Sequence, residues 1–185
     1  MGEVLAKLSD ELRTFLTSQP CFFVATAPLG AGGRVNVSPK GLDTLRVLSP
    51  TECAYLDLTG SGNETSAHLL ENGRMTLMTC SFGDRPRILR IYGTGTVHVP
   101  GSPRYEELRP SFGKFRGDRQ MVVLHITRVQ TSCGYAVPRM QLQGERPLLE
   151  RWAEAKGPAG LASYRAEKNA VSIDGLPTHL GRADR

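Results

Sequence analysis

The stretch of this chain best suited to hold an anion is Thr59-Gly60-Ser61-Gly62-Asn63-Glu64-Thr65-Ser66-Ala67-His68. It follows an apolar run, Cys53 to Leu58, that reads as a buried strand, and it opens a helix ending near Asn72-Gly73. The first N–H groups of a helix lack intrahelical partners and lie at the positive end of its dipole. A strand, a glycine turn and a helix entrance crowded with hydroxyls therefore make a cradle for phosphate, with Thr59, Ser61, Thr65 and Ser66 as its polar lining. The same residues allow a plainer reading. Ser61 and Glu64 have the spacing of a capping box, in which they satisfy the free donors themselves, and a carboxylate there repels phosphate.

A second element bears on the choice. Arg34-Val35-Asn36-Val37-Ser38-Pro39-Lys40-Gly41 alternates apolar and polar residues until Pro39, which has no N–H to give a neighbouring strand. The two-residue period sets Asn36, Ser38 and Lys40 on one face, two neutral hydrogen-bonding groups and a cation. That face suits a ligand; it also suits a solvated edge strand closing with a surface lysine. No acid–base pair has a spacing that compels a catalytic role, although Asp57 and Glu64 are carboxylates in the right region.

These residues need a scaffold. Leu5, Leu8, Leu12 and Phe15-Leu16 recur at helical steps, which predicts an amphipathic helix over 2–18. Cys21–Thr26 reads as a strand, Leu29–Gly33 as a glycine-rich hairpin connection and Arg34–Gly41 as the second strand. Cys53–Leu58, Arg74–Phe82, Arg87–Val99 and Met121–Val129 supply four more. Gly93 and Gly95 in the long fifth strand predict a bend of the kind that closes barrels. A short helical piece is expected around Tyr105–Leu108. Beyond Gly134, Arg146–Ala155 and Leu161–Lys168 read as helices separated by Gly157-Pro158, and the last turn-rich segment keeps apolar anchors that pack on a surface. Six strands joined mostly by short turns indicate an antiparallel barrel with peripheral helices, a mainly β, α+β fold. One domain spans 1–185: an N-terminal helix over 1–19, the barrel over 20–132, and C-terminal helices and tail over 133–185.

Composition narrows the classes. The chain has 185 residues, enough for one core. No apolar run reaches the roughly 18 residues of a membrane span, and the N-terminus lacks the pattern of a secretory signal, so a cytoplasmic location is expected. Four cysteines and four histidines show no metal-ligand spacing. A net charge of +5 is spread along the chain without a dense basic run, which speaks against nucleic acid as partner.

Taken together, Asn36–Gly41, Gly60–Leu69, Asn72-Gly73-Arg74, Pro86–Gly93 and Ser172–Pro177 resemble the pyridoxamine 5′-phosphate oxidase-like group of FMN-binding split β-barrel proteins, in particular its predicted flavin-nucleotide-binding branch. The resemblance runs from about residue 20 to 180. It implies a split barrel with FMN as cofactor, held by Asn36, Val37, Ser38, Pro39 and Lys40 on the second strand and by Thr59, Ser61, Thr65 and Ser66 beyond the third. It also implies Arg87 at the entrance of the fifth strand, with Arg90 close by, as cations near the flavin, and a homodimer that completes the site. The implied activity is an FMN-dependent oxidoreductase acting on a small molecule or a nicotinamide reductant. A non-catalytic flavin carrier, or a split barrel using deazaflavin F420 or haem, is the alternative. The chain departs from the authentic oxidase at the helix entrance, where Glu64-Thr65-Ser66 replaces an Arg-Lys pair, and near its C-terminus, where the arginine-rich substrate-recognising element has no counterpart.

Overall fold

Strict alternation of buried and half-buried residues along Phe22–Thr26 (β2) shows how this sheet sorts its side chains: Phe22, Val24 and Thr26 point into the barrel, while Phe23 and Ala25 point out. The computed structural model describes residues 2–181. In chain order the elements are β1 (Val4–Leu5), α1 (Asp10–Ser18), β2, β3 (Asn36–Lys40), β4 (Leu45–Ser49), β5 (Glu52–Leu58), α2 (Glu64–Asn72), β6 (Arg74–Cys80), β7 (Ile88–His98), α3 (Pro103–Leu108), β8 (Asp118–Ser132) and α4 (Leu148–Lys168). The strands run in the order β3-β2-β6-β7-β8-β5-β4, with β1 paired to β8, and every pairing is antiparallel. The terminal strands β3 and β4 are not hydrogen-bonded to each other, which leaves the barrel split on that side.

The mainly β antiparallel class and the peripheral helices are as expected, but there are eight strands among the described residues rather than six. Val4-Leu5 pairs with Gln130-Val129 instead of beginning a helix. Ser9 starts α1 only at Asp10, its hydroxyl accepting the Leu12 N–H at 3.3 Å. The leucine steps of this segment therefore serve two elements, a strand and a helix. Leu45–Ser49 is the other added strand; it carries one buried side chain, Val47, and a register shift, so its pattern is faint in sequence.

Leu77, Leu89, Ile91, Val122 and Leu124 fill the barrel with Val24, and Leu12 and Leu16 of α1 close one end. A smaller cluster outside the barrel packs Leu56, Met121 and Val123 against Tyr105 and Leu108 of α3. The bend in β7 lies at Tyr92/Gly93, where the register to β8 shifts. A Cβ on Gly93 would lie 1.9 Å from the His125 carbonyl oxygen, so only glycine lets the two backbones approach this closely. The helix over 148–168 breaks at Gly157, whose φ of 63° lies in the left-handed region, just before Pro158. No helix among the described residues is long and apolar enough to cross a membrane.

Candidate functional site

Asn36, Ser38 and Lys40 do share one face of β3, turned toward the end of β5 and the start of α2. Asn36 Nδ2 donates to Thr65 Oγ1 at 3.2 Å, and Ser38 Oγ donates to Asn36 Oδ1 at 3.1 Å. Lys40 Nζ lies 2.6 Å from Asp57 Oδ1. Val37 and Pro39 project from the opposite, outer face, although Pro39 also reaches the wall of the pocket described below.

Asp57 is the hub. Its carboxylate is 1% exposed and takes Lys40 on one oxygen, with Arg119 Nε at 2.9 Å and Gln120 Nε2 at 2.8 Å on the other. Burial alone would push this carboxyl up; the Lys40 and Arg119 cations overcome it and hold the group well below the usual carboxylate range. Asp57 is thus a fixed anion and not a proton donor near neutral pH. Two cations against one carboxylate leave a surplus positive charge, and Arg119 aims it at the glycine turn, where Nη1 donates to the Gly62 carbonyl at 2.7 Å.

The turn itself differs from the capping-box reading. The N-cap of α2 is Asn63, and its side chain makes no cap hydrogen bond. Instead Asn63 Nδ2 donates to the Asn169 carbonyl at 3.1 Å while its Oδ1 accepts from Gln120 at 2.8 Å. Glu64 does not reach back to Ser61; its Oε1 accepts the Ile173 N–H at 3.2 Å. The tail after α4 competes for this corner, because its groups offer partners to the same polar side chains. Ser66 Oγ lies 3.1 Å from His179 Nδ1 and accepts the His179 N–H at 3.1 Å, and Asn169 Nδ2 donates to the Gly60 carbonyl at 2.9 Å. Thr59 donates to the Gly117 carbonyl at 2.6 Å and accepts from Arg165 Nε at 2.9 Å. Ser61 is exposed on the far lip of the turn, in a separate cleft with Asn36, Glu64 and Ile173.

Between β3, the end of β5 and the segment over 140–149 lies a pocket of about 610 Å³. Leu42, Leu56, Leu58, Phe82, Leu142 and Leu149 supply an apolar lining, and Lys40, Thr59 and Gly60 supply the polar corner. A flat, largely apolar ring with a polar tail matches that division. Two buried amide oxygens around the turn, Gln120 Oε1 and Asn169 Oδ1, have no protein partner.

Arg87 and Arg90 are not brought to this corner within one chain. Arg87 pairs with Glu11 at 2.6 Å and lies over the Phe15 ring, and Arg90 donates to Ser132 Oγ at 3.0 Å from the outer face of β7. Arg119, Gln120, Arg165 and Asn169 do line the corner and went unnoticed in the sequence. Their only signal there was a polar residue at the edge of an apolar run or in a helix end, which is the commonest place for surface charge.

The family model for pyridoxamine 5′-phosphate oxidase matches residues 8–133, which includes β2 to β8 and every strand residue of the corner. The chain belongs to this family. The pyridoxamine 5′-phosphate oxidase family protein ustO of Aspergillus flavus is 43% identical over 187 aligned positions, covering 92% of this chain and 75% of that one. Among solved structures, HupZ of Group A Streptococcus superposes with a TM-score of 0.51 at 20% identity, covering 66% of this chain and 91% of HupZ. A Lactobacillus delbrueckii protein whose name places it with the pyridoxamine 5′-phosphate oxidases gives 0.51 at 24% identity, over 68% of this chain and 94% of that protein. These two likenesses establish the split-barrel fold. The family match ends at residue 133, and residues 169–181, which cover the turn, lie beyond it.

Proposed function

We propose that this family member binds FMN in the pocket between β3 and the end of β5 and serves as an FMN-dependent oxidoreductase of a small molecule, with a nicotinamide as reductant. The observation that carries the reading is the surplus positive charge of Lys40 and Arg119 over Asp57, set where the apolar pocket meets the glycine turn. FMN, when bound, supplies two-electron redox chemistry that no side chain here can perform alone. The chain's own residues bind and orient it. The leucines and Phe82 exclude water from a planar ring, and the Thr59-Gly60 corner of the pocket, with the Arg119 charge behind it, favours a phosphate. Lys40, on the pocket wall, would favour negative charge on a bound flavin and raise its reduction potential.

The cytoplasm is the location in keeping with this chemistry, and a second copy of the chain completes the site by offering Arg90 from the outer face of its sheet. One observation favours a second reading, a flavin-holding module without turnover: Asp57, the carboxylate of the corner, is locked as an anion and has no proton to give.

The test is the absorption spectrum of the purified protein, with the released ligand identified by mass, followed by titration of stripped protein with FMN. Uptake of FMN, bleached anaerobically by NADH or NADPH, is expected; bound flavin that no nicotinamide reduces selects the second reading. Lys40→Met should weaken FMN binding by about tenfold, the loss of one charge-assisted contact of ~1.4 kcal/mol. Protein that stays colourless and takes up no added FMN overturns both readings.

A further inference from the structure

Away from the polar corner, two sulfur atoms stand opposite one another on neighbouring strands. β2 and β6 pair with Val24 opposite Leu77 and Phe23 opposite Met78. The ladder ends there; continued two residues further, the same register would set Cys21, just before β2, opposite Cys80. Past the last ladder pair the two segments are joined through a side chain, Thr79 Oγ1 donating to the Cys21 carbonyl at 2.8 Å. Phe22 and Thr79 point inward, so by alternation Cys21 and Cys80 project from the same outer face. Directly opposed residues of an antiparallel pair have Cα atoms roughly 4.5–5.5 Å apart, inside the roughly 4.4–6.8 Å window of a disulfide.

Both thiols are free. Burial pushes both up, and for Cys80 the Cys21 thiol adds to the effect, as two sulfurs in close proximity would. The two differ in access. Cys21 is half-buried and forms part of the pocket wall with Lys40 and Thr59, while Cys80 is buried and not part of that wall. The other two cysteines have different surroundings. Cys53 sits in the barrel core with its thiol pushed up to about 12 by burial, and Cys133 is exposed at the end of β8.

We propose that Cys21 and Cys80 form a reversible redox pair in the pocket wall, closing to a cross-strand disulfide by exchange with a low-molecular-weight disulfide such as glutathione disulfide. The Cys21 thiolate attacks one sulfur of that disulfide, which breaks its S–S bond and releases one thiol. The Cys80 thiolate then attacks the Cys21 sulfur and releases the second. Two protein thiols lose two electrons and two protons, and one external disulfide becomes two thiols. Raised thiol pKa values make both steps slow, so the pair equilibrates gradually rather than on encounter. Closure ties β2 to β6 at the pocket and fixes the Cys21 wall. This inference is independent of the flavin reading, because it needs only the strand register and the access from the pocket.

The experiment uses the full chain carrying Cys133→Ser, equilibrated under native conditions in glutathione buffers of increasing oxidation and then acid-quenched for intact-mass analysis. The expected product has lost two hydrogens, gives a cross-linked peptide joining residues 21 and 80, and returns to the dithiol with dithiothreitol. In the same background Cys80→Ser should accumulate one glutathione on Cys21, and Cys21→Ser should accumulate none. A parent protein that keeps glutathione on Cys21 without closing overturns the proposal. So does a parent protein that stays fully reduced in the most oxidised buffer.

Discussion

At the scale of single residues, the molecule turns on Asp57. A buried carboxylate shared by Lys40, Arg119 and Gln120 leaves two cations unpaired when it is neutralised. Asp57→Asn should cost about 3–5 kcal/mol, the range for breaking a buried pair from one side, measured by urea unfolding at neutral pH. The pH dependence has a definite sign. The folded carboxyl is held below its unfolded value, so its contribution is full above the ordinary carboxylate pKa of about 3.9 and drains away as pH falls beneath it. The wild type should lose stability steeply below about pH 4 and the Asp57→Asn variant much less. Equal slopes for the two proteins would show that Asp57 titrates normally. The shared face of Asn36, Ser38 and Lys40 was legible in the sequence, since a strand's period of two decides it locally. Arg119 was not, because it meets Asp57 across 62 residues of sequence and only the β5–β8 pairing brings them together.

Elements show the same division between local and distant causes. Two glycines in an otherwise apolar and β-branched run disclosed the bend in β7 before any pairing was known, and Asn72-Gly73 disclosed the end of α2, where Gly73 adopts a φ of 69°. By contrast β1 was hidden, since its two residues become a strand only when β8 offers an edge. The glycines of β7 are unequal, which yields a prediction. A methyl on Gly93 meets backbone, the His125 carbonyl, whereas a methyl on Gly95 meets the ends of Leu69 and Met75 side chains at 2.9 and 3.0 Å. Side chains can yield where a paired strand cannot. Gly93→Ala should therefore destabilise by ~3 kcal/mol or more and Gly95→Ala by ~1 kcal/mol, the upper and lower parts of the overpacking range. Thermal or urea unfolding of the two variants gives the comparison, and a Gly95→Ala protein less stable than Gly93→Ala would place the close approach elsewhere.

Over the whole molecule, α3 covers the outer face of β5 and β8, and the outer rows across β3, β2, β6 and β7 are left less covered. Val37, Ala25, Thr76 and Tyr92 stand in one row across β3, β2, β6 and β7, and Pro39, Phe23, Met78 and Arg90 stand in the next. Val37 is 61% exposed, and Val35 just before the strand 71%, while the inward face of β3 is given to the polar Asn36, Ser38 and Lys40. Pairing of two β3 edges is hindered because Pro39 cannot donate to a new ladder. Face-to-face association through the two rows meets no such obstacle, and it carries Arg90 toward the neighbouring copy. Light scattering during gel filtration at micromolar concentration should accordingly give twice the 20.2 kDa chain mass. Val37→Glu adds a charge to each copy at an exposed position, so folding should survive while the dimer is lost. A wild type that elutes as a monomer rejects the two-copy site. So does a Val37→Glu protein that remains a dimer of unchanged strength, since the association would then use another surface. The two measurements together separate a missing dimer from a misassigned face, because only the first leaves the wild-type mass at that of one chain.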